Sequence, residues 1–170
     1  MQGRLLMKYA MNSENSFKII TDSPQETFML GKNIGYFCYG GLTILLFGGL
    51  GAGKTQITQG IGSALDIKRI KSPTFIIVSE HEGKIPLAHA DLYRLNDFAA
   101  VDSLDLESNT DDGGVLIVEW AERWATPPIT DRWDIRIEKL AEKPDSREIT
   151  VSGCGNKALE SLTMAFKKMG

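Results

Sequence analysis

Thr43-Ile44-Leu45-Leu46-Phe47 leads directly into Gly48-Gly49-Leu50-Gly51-Ala52-Gly53-Lys54-Thr55. The first five residues form a short, almost wholly apolar run, the pattern of a strand buried on both faces of a parallel sheet. The next eight fit G-x-x-x-x-G-K-[ST], and a strand, such a loop and a helix in succession are the context a phosphate-binding P-loop requires. Each residue type has a physical reason. The loop has to turn backbone N–H groups inward around an anion, which calls for positions without a Cβ. Lys54 supplies a point charge for the β- and γ-phosphates, and the Thr55 hydroxyl is a magnesium ligand. The helix that begins there aims its N-terminal N–H groups and positive dipole end at the same anion. The stretch predicts a nucleoside triphosphate site, with Leu50, Gly51, Ala52, Gly53, Lys54, Thr55 and Gln56 around the phosphates.

Outward from this stretch the elements alternate. Phe17-Lys18-Ile19-Ile20 reads as a short strand. Ser23, Pro24 and Glu26 open a helix as N-cap, first residue and capping-box acid. Leu30, Ile34, Phe37 and Cys38 stripe one face of that helix, which Gly40-Gly41 is expected to end. Ile57, Ile61, Ala64 and Leu65 face the core from the helix after the loop. Phe75 to Ser79 and Ile85 to Asp91 read as strands joined by a turn at Glu82-Gly83-Lys84. Asn96 or Asp97 caps a helix through Leu106, followed by an acidic loop from Glu107 to Asp112. Val115-Leu116-Ile117-Val118 is a fully apolar strand ending in Glu119. Trp133 to Ile137 and Glu148 to Ser152 read as a hairpin turning at Lys143-Pro144-Asp145. Asn156 is expected to cap a last helix that buries Leu159, Leu162, Phe166 and Met169. The predicted fold is α/β: a three-layer, P-loop NTPase-like domain with a mostly parallel central sheet and antiparallel additions.

Composition fits one domain over residues 17–170, preceded by a flexible leader over 1–16 in which Met7 and Met11 offer alternative starts. The 170 residues are 42% hydrophobic and 24% charged, ordinary globular values. A net charge of −3 gives no global basic character for non-specific nucleic-acid binding. Cys38 and Cys154 lack metal spacing and read as reduced thiols of a cytosolic protein. No apolar run approaches membrane-spanning length.

A P-loop needs an acid at the carboxyl end of a neighbouring apolar strand to hold Mg²⁺ or its water shell. Glu119 has the hydrophobic-run-plus-acid form and is the better candidate; Asp91, closing Leu87-Ala88-His89-Ala90, is the second. His89 and Asp91 share a strand face. Two ligands without a third make a thin metal site, so His89 is expected to be a satisfied, half-buried histidine.

Gly48 to Thr55, Lys71-Ser72-Pro73-Thr74-Phe75, Asp91-Leu92-Tyr93-Arg94-Leu95 and Val118-Glu119-Trp120 occur in that order, and together they resemble the TsaE (formerly YjeE) family. The resemblance covers the chain from about Ser23 to the late hairpin. It implies a small bacterial ATPase that supports a partner complex making threonylcarbamoyladenosine in tRNA. That complex pairs a carbamoyltransferase with its inactive paralogue. By position, Ser72, Pro73 and Thr74 match a switch-like loop near the γ-phosphate, and Asp91 matches an aspartate implicated in hydrolysis. Glu119 matches the Mg²⁺ partner, Trp120 a residue beside the nucleotide, and Thr27 a threonine near the base. The resemblance thus groups Asp91, Lys54 and Thr74 as catalytic. The family usually has Asp at Gly49, Thr at Gln56 and an aromatic residue at Ala90, so the anchoring of the loop mouth is open at Gly49.

Other residues keep two readings. Pro73 holds Ser72 extended, which suits a phosphate-site loop or any strand entry. Trp120 suits adenine stacking or a core anchor. Lys68, Arg69 and Lys71 read as a solvated basic face, and Arg94 as a charge-stabilising group or an ion-pair partner. A small-molecule kinase is the alternative enzyme class, but Arg123, Arg132, Arg136 and Arg147 are scattered and no lid-like insertion holds them. A non-catalytic nucleotide switch is the third class. The guanine-reading Asn-Lys-x-Asp motif breaks at Leu159, which favours adenine over guanine.

Overall fold

The computed structural model describes residues 9–12, 15–70, 77–95, 97–127 and 130–170. Within them the chain runs β1 (Tyr9–Asn12), β2 (Ser16–Thr21), α1 (Pro24–Gly35), β3 (Thr43–Phe47), α2 (Lys54–Ala64), β4 (Val78–His81) and β5 (Leu87–Asp91). It continues with α3 (Phe98–Asp102), α4 (Ser108–Asp111), β6 (Val115–Glu119), a 3-10 turn (Ala121–Arg123), β7 (Arg132–Leu140), β8 (Lys143–Cys154) and α5 (Asn156–Met169). The strands make one eight-stranded sheet in the order β1-β2-β8-β7-β3-β6-β5-β4. Its centre, β7-β3-β6-β5, is parallel, and the flanking pairs are antiparallel. The α/β class with a largely parallel centre is therefore the one the apolar runs at β3 and β6 predicted: both are buried on two faces.

Two cores lie on either side of the sheet. One packs α1, α2 and α5 through Leu30, Ile34, Ile57, Ile61, Leu162 and Phe166. Phe166 stacks on Phe17 of β2 at 4.1 Å between centroids, and Trp133 Nε1 donates to Ala158 O at 2.9 Å, fixing α5 to the sheet. The second core, with Leu45, Leu116 and Val118, is covered by Val101 of α3, Leu106 and Trp124. Helices α1 and α2 cross in direct backbone contact at glycine: a Cβ on Gly31 would lie 2.5 Å from Ile57 O. Among the described residues no helix is long and apolar enough to cross a membrane.

Several boundaries differ from the sequence reading. Residues 9–12, placed in the flexible leader, pair antiparallel with β2, and Ser16 opens that strand. Helix α1 ends at Gly35, before Phe37 and Cys38, with Tyr36 as its C-cap, and Phe37 N donates to Ile34 O at 2.9 Å in a tightened last turn. Strand β5 begins at Leu87 rather than Ile85, since Pro86 has no N–H for the ladder. The helix expected through Leu106 breaks at Ser103, where Asp105 takes φ 46°, and the expected acidic loop contains the single turn α4. The hairpin turns at Ala141-Glu142, so Lys143-Pro144-Asp145 belongs to β8. Gly155, at φ 90°, occupies the N-cap of α5, with Asn156 the first helical residue. The segment Lys71, Ser72, Pro73, Thr74, Phe75, and Asn96 as well, lies outside the described residues.

Candidate nucleotide site

The parallel register puts the candidate residues at one end of the sheet. Glu119 is level with Leu46 of β3 on one side and with Asp91 of β5 on the other. All three strands end there, and the loop from β3 to α2 closes over them. In open α/β sheets this carboxyl-end crevice is where ligands sit.

Three glycines set the loop's path with φ of 148° at Gly48, 68° at Gly51 and 114° at Gly53, conformations that side chains with a Cβ rarely adopt. At Gly49 nothing stands within 4 Å of an added Cβ, and the loop mouth is anchored through the backbone instead. Gly49 O accepts from Ala52 N at 3.1 Å and from Lys54 Nζ at 3.0 Å. Helix α2 starts with no side-chain cap and no acid in its first turn, so none of its own side chains covers its N-terminal end.

Lys54 is 5% exposed and donates to Gly48 O at 2.6 Å as well as to Gly49 O, with its ammonium 3.8 Å from the centroid of the Trp120 ring. Burial pulls its pKa below the usual lysine range; Glu119, Glu122 and Asp91 oppose that shift and Lys139 adds to it. Trp120 reaches this position from a left-handed backbone conformation, φ 60° and ψ 43°, which costs on the order of 1–3 kcal/mol for a non-glycine residue. Its ring also lies 4.8 Å from Tyr93. Trp120 is thus half-buried, lining the cavity and packing against the second core as well.

Glu119 is 3% exposed and accepts three hydrogen bonds. Thr55 Oγ1 donates to Oε2 at 3.2 Å, while Thr58 Oγ1 and His89 Nε2 lie 3.0 Å from Oε1. Burial alone would raise the Glu119 pKa. The His89 contact and the two threonine hydroxyls outweigh it and hold the carboxyl below its ordinary range. The two oxygens therefore divide: Oε1 is held from behind by Thr58 and His89, and Oε2 shares the cavity side with Thr55.

His89 is not the half-buried histidine expected from sequence. It is 1% exposed, its Nε2 serves Glu119, and its Nδ1 has no hydrogen-bond partner among the described residues. Asp91 stays at the rim, where Oδ1 accepts from Tyr93 N at 3.0 Å. Thr27 is buried; its hydroxyl donates to Ser23 O at 3.2 Å and lies 2.8 Å from Thr21 Oγ1.

These residues line one cavity of about 430 Å³. Leu50, Gly51, Ala52, Gly53, Lys54, Thr55 and Gln56 line it together with Asp91, Glu119 and Trp120, and with Thr27, whose methyl would lie 3.5 Å from a Cβ on Gly53. The sequence reading missed Thr58 and His89 behind Glu119, and Tyr93, Asp145 and Arg147 on the cavity wall. Thr58 is legible in hindsight as the residue one turn along α2 from Thr55. Thr74 lies outside the described residues, as does Lys71; Lys68 and Arg69 are exposed. Among the described residues no three His, Cys, Asp or Glu side chains form a metal cluster.

Residues 21–149 match the family described as threonylcarbamoyl adenosine biosynthesis protein TsaE. The chain is 38% identical over 139 residues to the tRNA threonylcarbamoyladenosine biosynthesis protein TsaE of Bacillus subtilis (strain 168), covering 81% of this chain and 85% of that protein. It is 41% identical over 126 residues to the protein of the same description from Nostoc sp. (strain PCC 7120), covering 71% and 77%. The crystal structure of Bacillus subtilis YdiB matches with a TM-score of 0.76 at 32% identity, over 94% of this chain and 100% of that one. With a family match across most of its length and relatives at this identity, the chain belongs to the TsaE family.

Proposed function

We propose that the protein binds and hydrolyses ATP in the cytoplasm in support of tRNA threonylcarbamoyladenosine modification. It acts through a partner complex of a carbamoyltransferase and its inactive paralogue, and so touches tRNA only indirectly. The observation that carries the chemical part is the convergence of Lys54, Thr55, Glu119 and Asp91 on one cavity floored by a glycine loop and the uncapped start of α2. The pathway part rests on family membership.

The donor set fits Mg²⁺. Thr55 Oγ1 and Glu119 Oε2 are hard oxygen donors side by side, and Mg²⁺ is commonly bound by one or two protein oxygens, substrate phosphates and retained waters. When bound, the ion neutralises charge on the β- and γ-phosphate oxygens. The chain's own groups do the rest. Lys54 exchanges two neutral carbonyl acceptors for charged phosphate oxygens, which makes its hydrogen bonds charge-assisted on both sides. Asp91, at the end of the neighbouring strand, orders the attacking water or the outer-shell waters of the metal, where geometry governs rate. Trp120, backed by Tyr93, offers a flat aromatic face at the cavity wall.

Phosphate release from labelled ATP, measured with and without the reconstituted carbamoyltransferase pair, tests the reading. Release of inorganic phosphate supports it. Transfer of label to a small acceptor makes the protein a kinase, and binding without turnover in either setting makes it a nucleotide switch.

A further inference from the structure

Strand β8 reaches the nucleotide cavity at Arg147, a residue the reading above does not use. Arg147 Nε donates to Ala52 O at 2.7 Å and Nη2 to Gly51 O at 3.3 Å. The same guanidinium donates from Nη1 to Pro144 O at 2.6 Å and Ser146 O at 2.8 Å. A loop that turns N–H groups toward an anion turns carbonyls the other way, and those carbonyls need partners of their own. One planar fork here takes two successive carbonyls at the centre of the loop.

Peptide planarity makes that contact consequential. The Ala52 carbonyl and the Gly53 N–H belong to one rigid unit and point in opposite directions, so fixing the first fixes the second. The Gly51 carbonyl and the Ala52 N–H are likewise one unit, held at both ends by Arg147 and by Gly49 O. A charge observation agrees. Arg147 takes part in none of the ion pairs among the described residues. Its register partner on β7 is Lys139, whose Nζ would stand 3.3 Å from a Cβ on Gly51. Like charges directly opposite each other in a sheet are unfavourable, and an anion in the loop relieves them.

We propose that Arg147 is a positioning residue: its fork holds the Gly51–Gly53 backbone in the orientation that receives the β-phosphate, and so couples the β7–β8 hairpin to nucleotide binding. The inference rests on the cavity's being a nucleotide site. Lysine keeps the charge but cannot span two carbonyls with a planar fork.

The test is the affinity of Arg147→Lys and Arg147→Ala for ATP and ADP by calorimetry, beside thermal melting of each variant without nucleotide. Both variants should weaken ATP and ADP to the same degree, about tenfold or more, with the Arg147→Lys melting midpoint close to that of the wild type. Wild-type affinity in Arg147→Lys would overturn the proposal by showing that charge alone suffices. So would a loss confined to ATP, which points to a direct γ-phosphate contact. If Arg147→Ala fails to fold, Arg147→Lys decides alone. Absence of ATP binding by the wild-type protein is a different failure, that of the nucleotide site itself.

Discussion

Glu119→Gln separates the charge of the buried carboxylate from its shape. The glutamine carbonyl oxygen can take the two donors now at Oε1, Thr58 and His89, while the amide donates to a Thr55 hydroxyl that rotates to accept. The bonds from Thr58 and His89 fall from charge-assisted to neutral, a loss of roughly 1–1.5 kcal/mol each and about 2–3 kcal/mol together. A domain of this size has about 5–15 kcal/mol of stability, so the variant should fold. What it loses is the anionic oxygen beside Thr55. Calorimetric titration with ATP, in Mg²⁺ and in excess chelator, reads that loss directly. The wild type should bind about tenfold or more tightly with Mg²⁺, and Glu119→Gln should differ between the two conditions by no more than about twofold. A folded Glu119→Gln protein with the full Mg²⁺ effect would refute the assignment of Glu119 Oε2 as a metal oxygen. If Asp91→Asn abolishes the effect instead, the roles of the two acids are exchanged.

Three further outcomes follow from the same geometry. Asp91→Asn should bind ATP within a few-fold of wild type yet lose phosphate release by about 10²-fold or more, as positioned acid–base groups do; parallel loss of both would make Asp91 a binding or folding residue. Because the Glu119 pKa is held below its ordinary value of 4.5 in the folded chain, its contribution to stability is full above that pH and is lost as pH falls through the lower folded value. Urea midpoints between neutral pH and about pH 3.5 should therefore fall less steeply for Glu119→Gln than for wild type. Gly49→Ala should leave ATP affinity near wild type, since nothing crowds its Cβ, whereas Gly51→Ala, at φ 68°, should weaken it; equal affinities would contradict the loop geometry.

The fold was legible in the sequence where a local pattern and the tertiary structure asked for the same thing. The apolar runs of β3 and β6 and the glycine-lysine-threonine turn between β3 and α2 each state their structure in consecutive residues. The hairpin was placed but its turn was not, because Lys143-Pro144-Asp145 has turn composition and yet lies within β8: Lys143 pairs with Leu140, the next pair is Lys139 with Arg147, and residues 144–146 take up the register shift between them. Edge strand β1 was hidden for a related reason: its pairing with β2 is made by backbone, and four polar and apolar residues carry no period. In the site, Lys54, Thr55, Glu119 and Asp91 were readable from motif and strand-end position. His89 was not, because its identity as a Glu119 partner depends on the lateral register of β5 against β6. Arg147 was invisible for the same cause at longer range: 95 residues of sequence separate it from the Ala52 carbonyl it holds.

The proposed ATP site is the loop from Gly48 to Thr55 with the Glu119 carboxylate behind it, and its key cation is Lys54. Equilibrium titration of the wild-type protein and of Lys54→Ala with Mg²⁺-ATP tests it most directly. The wild-type protein should show one saturable site per chain. In a folded Lys54→Ala protein that affinity should drop by about tenfold to a hundredfold, the equivalent of losing a charge-assisted contact of roughly 1.5–3 kcal/mol. Absence of saturable binding by the wild type, or equal affinity in the two proteins, would contradict it.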